Sequence, residues 1–223
     1  EDDRGRRLNF TARFVVVATG YFDTPNRLDV PGADLDNVTH YYREAHPYYG
    51  RRVTIVGAGS SAADAALELY RAGAQVTMIH RGADFRHSLK YWVRPDLENR
   101  VREGSITAHM NSVVSHITPE AVHITTPDGA LAVPTDQTFL LTGYRADPAL
   151  LTACGVRCDP VTLVAELDPR TFESNVPGLF VVGSAGSGVR TSDVFIENGV
   201  QHAASAVARI RELARERPLV AAD

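Results

Sequence analysis

The chain has 223 residues, 44% of them hydrophobic and 22% charged, which is room for one large domain or two small ones. It has no long apolar run and no block of like charges, and its formal charge is −4, from 27 acidic and 23 basic side chains. Disorder, collagen and membrane spans are thereby excluded, and neither a nucleic-acid nor a membrane surface is the expected partner. Two cysteines in a chain of this length point to a reducing, cytoplasmic setting. The opening residues 1–7 are polar and charged where a secretory leader would be apolar.

In chain order, short β-rich runs at 14–18, 53–56, 76–79 and 179–182, bounded by Gly or Pro, predict buried strands. The second and third flank a helical pattern of Ala62, Ala65, Ala66, Leu69 and Tyr70 that closes at Gly73. That βαβ unit predicts parallel strands in a doubly wound α/β fold. A polar loop after Arg81 leads to a helix near 95–103. Residues 106–133 alternate around the turn Pro127-Asp128-Gly129 and read as a β-meander or hairpins. A strand at 138–141 runs into Thr142-Gly143-Tyr144-Arg145. Behind the glycine-rich loop 183–188, an amphipathic helix at about 197–215 carries Val200, Ala204, Val207, Ile210 and Leu213 on one side, and the tail 218–223 is expected to fray.

The sharpest motif is Gly57-Ala58-Gly59-Ser60-Ser61-Ala62, a G-x-G-x-x-A directly after a strand and opening a helix. Gly57 suits a tight turn, Gly59 the close approach of a pyrophosphate, and Ala62 close helix–strand packing. The helix N-terminus offers N–H groups and partial positive charge, and the Ser60 and Ser61 hydroxyls fit phosphate contacts better than a nucleophile's role. At the end of the second strand, where an NAD site holds an acid, stands His80-Arg81. An arginine there suits a 2′-phosphate and favours NADPH; a solvated surface arginine is the plain alternative. Arg86 and Lys90 are weaker candidates for the same pocket.

Several patches occur together in order: Ala18-Thr19-Gly20 and Thr142-Gly143-Tyr144 after β runs, the central glycine motif, and 171–183 ending Val176-Pro177-Gly178-Leu179-Phe180-Val181-Val182-Gly183. With them the chain resembles the FAD- and NAD(P)H-dependent pyridine nucleotide–disulfide oxidoreductases of the thioredoxin-reductase-like branch. More narrowly, Pro25-Asn26, Val30-Pro31-Gly32, His40-Tyr41-Tyr42-x-Glu44-Ala45-His46, Ser88-Leu89-Lys90-Tyr91-Trp92-Val93 and Phe195-Ile196-Glu197-Asn198-Gly199 are similar to bacillithiol-disulfide reductases. The resemblance implies a Rossmann-like NADPH-binding domain over 47–145, inserted into a FAD-binding domain of the same type made of 1–46 and 146–223. It places Ala18, Thr19 and Gly20 near the flavin, Gly143 in the NADPH module, and Gly183 and Ser184 at the ribityl–pyrophosphate region. Ile196 opens a helix aimed at the isoalloxazine, whose dipole would favour the anionic reduced ring. Ser184 stands where the broad family has Asp, a departure shared with bacillithiol-disulfide reductases. The family's first flavin glycine motif is missing, so the chain reads as the later part of a longer protein. The suspected reactive cysteine of the family belongs to that motif, and no catalytic residue is assigned.

Cys154 and Cys158 are separated by three residues, lie outside the family's redox position, and are expected to pack rather than react. His40, His46, His80, His87 and His202 show no metal-ligand spacing, and no metal is expected. Tyr41, Tyr42, Tyr48 and Tyr49 could shield the nicotinamide or pack at a domain hinge, and the hinge is favoured. The resulting expectation is a flavoprotein passing electrons from NADPH through FAD to a low-molecular-weight disulfide, with a small-molecule disulfide as partner and a homo-oligomer left open. The rivals are a flavin monooxygenase or ferredoxin reductase on the same scaffold, and a non-catalytic NADPH-binding fragment.

Overall fold

The computed structural model describes residues 6–86 and 89–216. In chain order the elements are β1 (Val15–Val17), β2 (Val38–Thr39), β3 (Arg52–Val56), α1 (Ser60–Arg71), β4 (Gln75–Ile79), α2 (Arg94–Arg102) and β5 (Thr107–His109). There follow β6 (Val113–Ile117), β7 (Ala121–Thr126), β8 (Gly129–Pro134), β9 (Gln137–Leu140), α3 (Ala149–Ala153), β10 (Leu179–Val181) and α4 (Ile196–Glu216). The chain divides into two compact units, one continuous over 25–143 and one split between the residues up to 24 and those from 144 onward. Among the described residues no helix is long and apolar enough to cross a membrane.

In the continuous unit the aliphatic runs form a parallel sheet in the order β2-β9-β3-β4-β5. Parallel strands are buried on both faces, which is why Val53, Ile55, Val76, Met78 and Phe139 are all sealed from solvent. α1 lays an alanine-rich stripe on this sheet: Ala62, Ala63, Ala65, Ala66 and Leu69 are fully buried, and small side chains let helix and strands approach closely. The helix ends at Ala72, and Gly73 takes the left-handed turn, with φ +88°.

The expected meander is real only from β6 onward: β6, β7 and β8 are antiparallel, with Gly129 at the tight turn. Its first segment is corrected, since Thr107–His109 pairs parallel to β4, with Thr77 opposite Thr107, and so extends the Rossmann sheet. Three residues are too few for alternation to separate an edge strand of one sheet from the start of another. Residues 25–46, expected in the flavin domain, lie in the continuous unit, where Val38 and Thr39 pair with Thr138 and Phe139. Of the four tyrosines, Tyr42 and Tyr48 meet the Phe139 ring edge-on at 5.5 and 5.3 Å and pack, partly buried, against the core.

In the split unit β1 and β10 run parallel, Val15 opposite Leu179. Val17, Leu151, Val156, Leu179 and Val181 form one small core, and Ala206 of α4 packs with Phe180 and Val182 in another. His87, Ser88 and the tail 218–223 lie outside the described residues.

Candidate functional site

The continuous unit carries its polar features where parallel strands end. Gly57 follows β3 with φ +142°, and a Cβ there would stand 2.2 Å from the Leu141 carbonyl oxygen, so only glycine fits between β3 and the end of β9. The same position is 3.5 Å from the Ala62 Cβ, the close helix–strand contact expected of the motif's last residue. Gly59 differs. Its φ is −87°, and the nearest atom to a Cβ would be Arg86 Cδ at 3.8 Å, so the glycine keeps the space above the turn open without protein filling it. Gly59 is the N-cap of α1 and supplies no side-chain acceptor for the first-turn N–H groups. Ser60 and Ser61 begin the helix, Ser61 exposed. This arrangement fits a bound pyrophosphate: a glycine-lined approach, a helix N-terminus and its partial positive charge.

At the end of β4, His80 is half-buried between cations. Burial first, then the charges of Arg81 and Arg86, push its imidazole below the usual histidine range. Arg81 is exposed, and Arg86 is brought over the glycine turn by its backbone N–H, which donates to the Ala58 carbonyl at 3.3 Å. The loop after β4 therefore folds back over the glycine turn. Lys90 pairs instead with α1: its Nζ donates to Asp64 Oδ2 at 3.0 Å. Gly143, φ +93°, lies beyond β9, where its carbonyl accepts from the Asn26 backbone N–H and the Thr142 hydroxyl donates to the Asn26 carbonyl at 2.5 Å. Asn26 entered the sequence reading only as part of a motif; no local pattern announces a contact across more than a hundred residues.

The split unit gathers Ala18, Thr19, Gly20, Gly183, Ser184 and Ile196 at the ends of its own parallel pair. The Val182 N–H donates to the Val17 carbonyl at 3.0 Å, and a Cβ on Gly20 would stand 3.9 Å from Ser184 Oγ. Gly183 has φ +64° and nothing within 4 Å of where its Cβ would be. The first turn of α4 comes down on it: a Cβ on Gly199 would lie 3.5 Å from Gly183 Cα. Ile196 is exposed at the helix start. An open glycine turn beneath a 21-residue helix is again a cradle for an anionic group.

Cys154 is exposed; Cys158 is half-buried, and burial raises its thiol pKa. Among the described residues no group of three His, Cys, Asp or Glu side chains could hold a metal.

A parallel sheet, glycine turns at strand ends and the uncapped start of α1 define a nucleotide-binding α/β protein. The chain belongs to the pyridine nucleotide-disulphide oxidoreductase family, whose model matches residues 5–183. It is 38% identical over 202 residues to the bacilliredoxin reductase Bdr of Bacillus subtilis (strain 168), covering 90% of this chain and 62% of that protein. It is 29% identical over 181 residues to a ferredoxin–NADP reductase of Ignicoccus hospitalis, covering 78% of this chain and 56% of that one. Among solved structures, the bacillithiol disulfide reductase Bdr from Bacillus cereus superposes with a TM-score of 0.85 at 38% identity, covering 88% of this chain and 61% of that one. The chain thus spans about three-fifths of the length of these relatives.

Proposed function

We propose that the continuous unit binds NADPH and the split unit contributes to a FAD site, in a flavoprotein that passes reducing equivalents from NADPH to a low-molecular-weight thiol disulfide. The observation that carries the reading is the conjunction at β3 and β4: the Gly57–Ala62 turn and uncapped α1 start, with Arg81 and Arg86 beside it. Helix N–H groups take the pyrophosphate, and the two guanidinium groups take the 2′-phosphate by charge-assisted hydrogen bonds. In the split unit Gly20, Gly183 and Ser184 line the flavin's phosphate and ribityl side, and the start of α4 at Ile196 stabilises negative charge on the ring. The flavin, when bound, accepts a hydride from the nicotinamide and passes electrons on; the protein supplies position and shelter.

Burial raises the Cys158 thiol pKa, which argues against a nucleophile's role for that residue. The identity to bacilliredoxin reductase and the superposition on bacillithiol disulfide reductase support the substrate class. The ferredoxin–NADP reductase likeness keeps a protein acceptor as the second reading.

The test is the visible spectrum of the purified protein before and after NADPH under nitrogen. A yellow sample bleached by NADPH and reoxidised by bacillithiol disulfide is the expected result. A sample that binds NADPH yet is colourless and stays so with added FAD removes the flavoprotein reading for this chain.

A further inference from the structure

β4 and β5 end level with each other, Ile79 opposite His109, and the chain beyond β5 turns back onto the loop that carries Arg81. The His80 carbonyl accepts from the Ser112 N–H, and the Gly82 carbonyl accepts from the Asn111 N–H, each at 2.9 Å. The residue between those two carbonyls is Arg81. Two consecutive N–H groups thus clamp the backbone on either side of it. The clamp is itself fixed, since Ser112 is buried and its hydroxyl donates to the Met110 carbonyl at 2.8 Å.

Asn111 takes its place in this clamp with φ +49°. Every other positive-φ residue described in the continuous unit is a glycine, for which that conformation costs least. Asparagine tolerates the left-handed region, often by bonding its carboxamide to nearby backbone. Here the side chain is exposed and makes no hydrogen bond among the described residues, so it does nothing for the turn that holds it. A phosphate monoester presents three acceptor oxygens. A carboxamide N–H donates to such a group without adding a further positive charge beside Arg81 and Arg86.

We infer that Asn111 is a specificity residue of the NADPH site: held beside Arg81 by the backbone clamp, its carboxamide N–H donates to the 2′-phosphate that Arg81 pairs with. The inference rests on the dinucleotide reading above and deepens it, adding a neutral donor after β5 to the charges after β4.

The experiment is calorimetric titration of the full chain with NADP+ and with NAD+, which differ only in the 2′-phosphate. Asn111→Gly keeps the left-handed backbone and the N–H to Gly82 and deletes the carboxamide. It is expected to weaken NADP+ about tenfold, the worth of one hydrogen bond to a charged group, and to leave NAD+ unchanged. Asn111→Asp is also compatible with the backbone and sets a carboxylate against the phosphate. It is expected to weaken NADP+ by more than the glycine variant does, with no loss for NAD+. Unchanged NADP+ affinity in Asn111→Gly, or equal loss of both cofactors in either variant, overturns the assignment. A parent protein that binds neither cofactor overturns instead the dinucleotide reading beneath it.

Discussion

Burial and two guanidinium groups act on His80 in the same direction and lower its pKa, which disfavours a third positive charge beside Arg81 and Arg86 at the end of β4. Replacing Arg81 by Glu is expected to weaken NADPH binding by ~1–3 kcal/mol, the scale of a hydrogen bond to a charged group, and NADH much less. Equal losses for the two cofactors in parallel titrations would assign Arg81 no part in recognising the 2′-phosphate. A second charged residue sets an acid dependence. Side-chain and backbone N–H groups of Arg52 hold the Asp136 carboxyl at about 2, below its ordinary 3.8. A lowered native value means that the unfolded chain takes up the proton first, so the stabilisation is complete above about 3.8 and lost as pH falls toward 2. Both partners are a third or more exposed, so screening limits the effect to ~1 kcal/mol. Asp136→Asn should flatten the stability–pH curve in that window, read by urea unfolding.

At the level of elements, the two glycines of the turn after β3 do different work. Gly57→Ala would force a Cβ onto the Leu141 carbonyl at a backbone angle that side chains avoid, and is expected to cost more than ~2 kcal/mol in urea unfolding. Gly59→Ala meets only ordinary contact at φ −87°, so stability should change by no more than ~0.5 kcal/mol while NADP+ affinity falls, because the new methyl fills the ligand's approach. Intact NADP+ binding in the Gly59 variant would argue against pyrophosphate at this turn. The turn, α1 and the flanking strands were legible in the sequence because glycine, alanine and aliphatic types are each demanded locally. β5 was not, since three residues at a sheet edge carry no periodicity of their own. β2, with two residues, gave no strand signal at all.

For the molecule as a whole, binding energy should be confined to the unit that holds the ligand. At a hundredfold excess over Kd, NADP+ is expected to add ~2.7 kcal/mol of stability, seen as slowed hydrogen exchange in β3, α1 and β4. Protection appearing only in 144–216 would reverse the assignment of the two units. The family resemblance was readable from motifs spread along the chain, and the family match bears it out. The boundary near 25 was not readable, because it depends on a short strand joining a sheet whose other members lie far along the chain.

Among the described residues the split unit's sheet has two strands, and Val15 and Val16 of β1 remain 48% and 44% exposed. An uncovered aliphatic strand is a template on which other extended chains can grow. For anyone handling this chain the practical outcome is colloidal: concentration, salt and storage time will govern how much of it stays monodisperse, and titrations belong in freshly filtered, dilute samples.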